Sequence, residues 1–299
     1  MSDGASLHML SLLKKMRQRA AEEARELLWE NIEGSLYWFG EPVTSESEAS
    51  KAKLNIQFRH YHPTLVSLHT SFSGTVANLE TDDVQSILMY GAARRISSIY
   101  RSANSICSIV YPDRDDVLTQ DEAGQLSDAL MIVYVHMVGV FDAIAIALKR
   151  LAGDEINIAE KNADILSAKF RKSVKFVSLE KQFKKNDLWF RRIKESLRNR
   201  YVHRVPPYVA PAQWTPEDLI ENNRLQLILD NALQERNLEK IEEVEILQSK
   251  LGKFAPFINF VDSNEQMHLL PTLLDDLFRF QVLALLFLEE LVPRLSFKS

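Results

Sequence analysis

Apolar residues recur at intervals of three and four along much of this chain, and that spacing constrains the fold more than any other feature. After Thr81 the repeat runs through Val84, Ile87, Leu88, Ala92, Ile96, Ile99, Ala103 and Ile106. Such a repeat places the apolar side chains on one face of an α-helix. Only 9 glycines and 10 prolines occur in 299 residues, so tight turns are few. We therefore predict an all-α protein, a helical bundle.

Capping residues and prolines predict the ends of the helices. Tyr111-Pro112-Asp113 should end the helix that follows Thr81, and Thr119 with Glu122 forms a capping box that opens a long apolar helix reaching about Leu151. We expect further helices over 159–169, over 178–203, from Thr215-Pro216 in two pieces to about Lys250, and from about Leu273 to Val292. The last is apolar on nearly all sides, which predicts burial in the bundle or in a subunit contact.

The first 80 residues have a weaker pattern. A helix is predicted over 5–33 and a polar loop over 39–53. Between residues 54 and 76 apolar and polar residues alternate, which predicts a small β-hairpin; the alternating residues are Leu54, Ile56, Phe58, Val66, Leu68, Thr70 and Phe72. We accordingly divide the chain into an N-terminal elaboration, 1–80, and one helical domain, 81–299.

Charge and cysteine content limit the classes of partner. The net charge is -5, so any binding of a polyanion must come from a local basic patch. The single cysteine, Cys107, fits a reducing compartment. No signal peptide is recognisable, and the longest uninterrupted apolar run, Val282 to Leu288, is far shorter than the ~20 residues that cross a bilayer. We expect a cytoplasmic protein without membrane contact.

A basic helix that ends at His203 carries the strongest candidate site. At about 100° per residue, one apolar stripe contains Trp189, Ile193, Leu197 and Tyr201, and a polar stripe beside it contains Arg192, Ser196, Asn199 and His203. Arg198 lies about 140° from His203 around this helix. If both act on one substrate, either the helix loosens at its end, before Pro206-Pro207, or a second copy supplies the missing partner.

The residue types suit phosphate chemistry. A histidine that titrates near neutrality can transfer protons, an arginine can hold phosphate oxygens, and an asparagine can position either group. Together, Arg198, Asn199 and His203 suit the attack of an RNA 2′-hydroxyl on its own phosphate, which needs neither a metal nor a protein nucleophile. The simpler interpretation is that basic residues at a helix end complement the helix dipole.

The segment Arg198-Asn199-Arg200-Tyr201-Val202-His203 resembles the R-N-x-x-x-H form of the motif of the HEPN (higher eukaryotes and prokaryotes nucleotide-binding) superfamily. The continuation Arg204-Val205-Pro206-Pro207-Tyr208 is similar to the H-R-x-P-P-Y sequence of a bacterial branch. About eleven residues carry the sharp part of this resemblance, within a helical context of roughly 82–292. The resemblance implies a metal-independent endoribonuclease, commonly a toxin or anti-phage effector, with a composite site formed by two domains.

By this resemblance Arg198 and His203 are catalytic with support from Asn199. Arg200 and Arg204 belong to the basic residues of the same helix, and we expect them to contact the RNA. The resemblance also implies a polar residue on an earlier helix, for which Asp142 is the candidate; the partner of Asp142 would be Arg198 or His203, or alternatively Lys149 or Arg150. Related toxins with nucleotidyltransferase antitoxins often have a tyrosine where this chain has Val205. No cofactor is expected, and a protein inhibitor or antitoxin is a conceivable partner. The alternative function is a non-catalytic helical module for RNA binding, nucleotide binding or dimerisation.

A histidine cluster is the one candidate for a metal site. His60-Tyr61-His62, with His69 nearby, places two imidazoles two residues apart. No cysteine or aspartate close by completes a ligand set. We therefore predict that these histidines are structural or lie on the surface, and that the protein has no metal site.

Overall fold

The computed structural model describes the chain in several ranges: 65–77, 82–111, 116–152, 158–165, 167–174, 186–261 and 265–291, with a few isolated positions such as His62, Leu79 and Arg114. Ser11 and Lys15 are helical and exposed. The rest of the predicted helix over 5–33, the predicted loop over 39–53 and the predicted strand through Leu54, Ile56 and Phe58 lie outside these ranges.

The bundle is all-α, as predicted, and its first described helix corrects the sequence analysis. Helix α1 covers 65–77, where the second strand of a hairpin was predicted. Its buried residues are Leu65, Leu68, Phe72 and Val76. Leu68 and Phe72 belong to the alternation that suggested a strand, but they also continue this spacing of three and four residues, while Val66 and Thr70 are exposed. Burial of that one face decides in favour of the helix.

Two long helices form the centre of the bundle. Helix α2 has an α-helical start, Asp82–Ser86, a π-helical segment, Ile87–Ala93, and a long α-helical part, Arg94–Ile109. Helix α3, Gln120–Ala152, packs along it. The predicted capping box opens α3: the Thr119 amide donates to Glu122 Oε2 at 2.8 Å and the Glu122 amide donates to Thr119 Oγ1 at 3.1 Å.

Helix α3 is long and apolar enough to cross a membrane by length and composition, because an 18-residue window has a mean hydropathy of 2.1. Single polar residues interrupt the apolar runs of this window, so the length of uninterrupted runs did not reveal it. Within the bundle 61% of the window is buried. A central core helix of a soluble protein has the same composition, so this one helix is weak evidence for a membrane span.

Shorter elements lead to the helix that carries the candidate site. A 3-10 turn, Glu160–Asn162, and helix α4, Ala168–Val174, replace the single helix predicted over 159–169. Helix α5 then runs through three parts: Asp187–Arg191, a π-helical segment, Arg192–Arg198, and a last α-helical turn, Asn199–His203.

The C-terminal third confirms the predicted two-piece helix and adds a sheet. Helices α6, Pro216–Glu235, and α7, Leu238–Gln248, pack on each other as an antiparallel pair, and α8 covers Leu269–Leu291. Three short antiparallel strands, absent from the prediction, lie in the order β1, Tyr208–Val209, β2, Phe257–Phe260, and β3, Glu265–His268. Helix α8 is buried along most of its length, as its all-round apolar sequence predicts.

Candidate functional site

The π-helical segment changes the helix that bears the motif. The predicted apolar stripe is confirmed, since Trp189, Ile193 and Leu197 are buried in the core. The predicted polar stripe is wrong at Arg192, whose guanidinium turns inward and binds the buried carboxylate of Asp276. Because a π-helix has a wider turn than the regular 3.6-residue helix, a wheel at constant angle does not describe residues on its two sides.

Arg198 opens onto a cleft between α2, α3 and α5, which we name the arginine cleft. Its volume is about 640 Å³, and its lining includes Arg95, Asp142, Arg198, Tyr90, Gly139 and Val202. Both π-helical segments in the described part of the chain border it, through Ile87 to Gly91 on one side and Arg198 on the other. Local π-helices are frequent at functional sites.

Asp142 lies in this cleft with Arg198, which was one of its candidate partners. Burial raises the pKa of Asp142 and so does Asp164, whereas the cations Lys194, Arg198 and Arg95 oppose that rise. Of the other candidates, Arg150 binds Asp83 and Glu160 instead, and neither His203 nor Lys149 lines the cleft. The guanidinium of Arg198 itself donates to Asn199 Oδ1 at 2.9 Å.

His203 is placed differently from Arg198. It is exposed in the last turn of α5 and does not line the arginine cleft, although Val202 beside it does. Arg204 is exposed at the residue that ends the helix. Arg200 packs its guanidinium over the ring of Phe260 in β2, 4.5 Å from the ring centre. One protomer therefore brings together Arg198, Asn199 and Asp142 but leaves His203 outside the cleft.

Most of the cations on α5 are engaged within the protein. Arg191 binds Asp187 at 2.8 Å, Lys194 binds Asp164 at 2.6 Å, and Arg192 binds Asp276. Among the residues that the structure describes, Arg198 and Arg204 have no carboxylate partner within ion-pair distance. Arg198 and Arg204 are therefore the arginines at this end of α5 whose charge is available to an external anion.

A second arginine in the cleft, Arg95 of α2, escaped the sequence analysis. Its side chain crosses α3 at Gly139, where a Cβ atom would lie 2.7 Å from Arg95 Cζ. Arg95 Nη1 lies 3.4 Å from Nδ1 of His136. Burial and the charge of Arg95 both lower the pKa of His136, which favours the neutral imidazole. A glycine in the middle of a long apolar helix was the available signal.

A buried polar network holds α5 against the bundle. Asp276 of α8 is 0% exposed and accepts hydrogen bonds from Tyr134 at 3.0 Å and from Trp189 at 2.8 Å, besides its ion pair with Arg192. Next to it, Asp275 accepts from Arg279 Nε at 2.6 Å. Burial, and then the charge of the neighbouring aspartate, raise the pKa of Asp275 to about 7. Like Asp142, Asp275 and Asp276 are acids in an apolar helix, and such buried acids need polar partners.

The histidine candidates have ordinary partners where the structure describes them. His62 Nε2 lies 2.7 Å from the hydroxyl of Tyr100, and His69 Nε2 lies 3.5 Å from Ser73 Oγ. His60 and Tyr61 are outside the described ranges. Within those ranges, no three histidine, cysteine, aspartate or glutamate side chains group in a way that could hold a metal ion.

Comparison of the chain with protein-family models, with curated proteins and with solved structures finds no match. Any inference about function therefore starts from the residues of the arginine cleft. They comprise two guanidiniums and one carboxyl group, with the exposed His203 at the end of the same helix.

Proposed function

We propose that this protein is a metal-independent endoribonuclease of HEPN type. The observation that supports the proposal is that Arg198 and the half-buried Asp142 line the same open cleft without an ion pair between them, while His203 stays exposed further along the same helix. Cleavage of a phosphodiester is accelerated by a fixed cation beside the phosphate and by a group that transfers protons. These are the roles of Arg198 and His203, with Asn199 holding the guanidinium.

The proposed reaction is an internal transfer at phosphorus. The RNA 2′-oxygen attacks the adjacent phosphorus, a bond from that oxygen to phosphorus forms, and the bond to the 5′-oxygen of the next nucleotide breaks. One proton leaves the 2′-hydroxyl and one is gained by the 5′-oxygen; His203 transfers one of the two and water transfers the other. Arg198 stabilises the extra negative charge on the phosphoryl oxygens. The products are a 2′,3′-cyclic phosphate and a 5′-hydroxyl, and DNA is not cut because it lacks the 2′-hydroxyl.

A second copy of the chain completes the proposed site. Arg198 faces the cleft and His203 does not, so the histidine that serves Arg198 comes from the other protomer of a two-fold dimer. We further propose that the enzyme is cytoplasmic and acts as a toxin or anti-phage effector under the control of a protein inhibitor or antitoxin. Control by modification of a tyrosine two residues after the histidine does not apply, because Val205 occupies that position.

The test is incubation of RNA with purified protein in chelator. His203→Ala should lower the cleavage rate by roughly 100- to 10,000-fold, and Arg198→Ala by roughly 100- to 1,000-fold. Arg191→Ala is the matched control, since it also removes one cation from α5 but breaks only an exposed pair with Asp187. Melting temperatures and the cyclic phosphate end are measured for each variant. Normal cleavage by His203→Ala would contradict the site assignment.

Complementation tests the shared site directly. Arg198→Ala and His203→Ala chains, each inactive alone, are co-expressed. In a composite site one of the two sites of every mixed dimer regains both residues, so about one quarter of the wild-type activity should return. If each site uses its own arginine and histidine, no activity returns.

The alternative is a non-catalytic HEPN-type helical module that binds RNA or nucleotides or serves dimerisation. The position of His203 outside the cleft of its own protomer is the observation that favours it. This alternative predicts RNA binding without turnover, and His203→Ala would then lower the melting temperature or the dimer affinity instead of removing an activity.

A further inference from the structure

Arg95 of α2 reaches across the neighbouring helix α3 and lines the arginine cleft. Its guanidinium lies across α3 at Gly139, where any larger residue would collide with it. A glycine within a helix costs about 1 kcal/mol relative to alanine. That cost has a reason here, because the missing side chain makes room for the guanidinium beside Asp142 and Arg198.

The cleft has an excess of positive charge. Arg95 and Arg198 are its cations and Asp142 is the one acid in its lining. Neither arginine forms an ion pair within the described ranges: Arg95 contacts His136, whose neutral form is favoured, and Arg198 contacts the neutral amide of Asn199. In a protein of net charge -5, this local excess of positive charge favours an anion, and two guanidiniums that line one cleft are suited to a phosphate.

The rest of the cleft suits a nucleoside. Apolar side chains, among them Ile87, Val135 and Ile146, form its walls. Tyr90 stands at its mouth on the π-helical segment with 68% of its surface exposed. Bases of single-stranded RNA stack on exposed aromatic rings of this kind. The volume of about 640 Å³ falls within the range of roughly 300–1,000 Å³ typical of small-ligand sites.

We propose that Arg95 and Arg198 together bind one phosphate of single-stranded RNA, and that the base of the same nucleotide stacks on Tyr90. This subsite rests on the proposed ribonuclease function and defines its substrate as an unpaired strand. Arg95 is a substrate-binding residue here, and Gly139 leaves the space that its guanidinium occupies.

The binding test uses a short, labelled, single-stranded 2′-O-methyl RNA, which cannot undergo attack by its 2′-oxygen and therefore reports binding without cleavage. Fluorescence anisotropy measures affinity over a range of salt concentrations. Arg95→Gln should weaken binding roughly 10- to 100-fold and reduce the salt slope by about 0.7, the effect of one lost contact to a single strand. Arg94→Gln is the matched control, since Arg94 is the exposed neighbour on α2 outside the cleft.

Two further variants separate the parts of the subsite. Gly139→Ala changes no charge but displaces the Arg95 guanidinium, so it should weaken binding in the same direction as Arg95→Gln. Tyr90→Ala should weaken binding about 5-fold or more through lost stacking, whereas Tyr90→Phe should bind as the wild type does. Circular dichroism shows which variants keep the fold, and Arg95→Gln decides the outcome if Gly139→Ala unfolds.

The subsite and the ribonuclease can fail independently. If the wild type does not bind the 2′-O-methyl RNA, or if Arg95→Gln binds it with unchanged affinity and salt slope, the subsite is refuted even where RNA is still cut. If binding depends on Arg95 and Tyr90 as described but no RNA is cut, the subsite stands and the ribonuclease proposal fails.

Discussion

Replacement of Arg192 by methionine should destabilise the protein more than any surface change on the same helix. The guanidinium of Arg192 is the cationic partner of Asp276, which has no exposed surface. Its other hydrogen-bond donors among the described residues are the neutral groups of Tyr134 and Trp189. Methionine keeps most of the side-chain volume but removes the charge. The carboxylate then stays buried without a close counter-ion.

Removal of one partner from a buried ion pair costs about 3–5 kcal/mol. For a chain of this length 1 kcal/mol corresponds to about 2–4 °C in melting temperature, so the transition should fall by roughly 6–20 °C. Burial already raises the pKa of Asp276, and loss of the cation raises it further. A carboxyl group whose pKa is raised on folding destabilises the folded state as pH increases, so the deficit should be larger at pH 8 than at pH 5.

Urea denaturation followed by circular dichroism measures this loss. Arg191→Met is the control, because Arg191 forms an exposed pair with Asp187 and such pairs contribute at most about 1 kcal/mol. Addition of Asp276→Asn to the Arg192→Met chain should restore part of the stability, since it removes the buried carboxylate that lost its counter-ion. Equal losses from Arg191→Met and Arg192→Met, or a double variant no more stable than the single one, would refute the reasoning.

Two other properties of the bundle can be tested in the same way. The pKa of Asp275 is raised to about 7 by burial and by the adjacent aspartate, so the free energy of unfolding should fall as pH rises from about 4 to about 7, and Asp275→Asn should flatten that fall in a urea titration series. Gly91→Ala should cost about 1–3 kcal/mol in the same assay, because the new Cβ would lie 2.9 Å from Cβ of Ala143 on the facing helix; unchanged stability would show that α2 and α3 can move apart freely.

Local sequence signals predicted a helix start well where the start depends on residues that are close together in the chain. Thr119 with Glu122 and Thr215 with Asp218 form capping boxes at the predicted positions. The predicted hairpin failed at α1 because the alternation around Leu68 fits two periodicities. The real strands are too short for a periodicity to identify them, since β1 has 2 residues and β2 has 4.

The candidate site was predictable only in part. The motif placed Arg198 and Asn199 on the helix, and the family resemblance made Asp142 the candidate on an earlier helix; the structure brings these three residues to one region. Arg95 was not predictable from its own surroundings, because nothing in the sequence around it distinguishes it from the exposed Arg94. Its importance depends on Gly139, which belongs to a different helix.

The sequence by itself determined the helical class and the capped starts of α3 and α6, since these follow from periodicity and from capping over a few residues. Only the tertiary structure decided where the charges of α5 are neutralised. Arg192 looked like a surface residue until α8 placed Asp276 beneath it, and Tyr134 reaches the same carboxylate from 142 positions away in the chain. The physical reason is that desolvation acts through space, so burial determines which arginine is held in the core and which remains available to an anion.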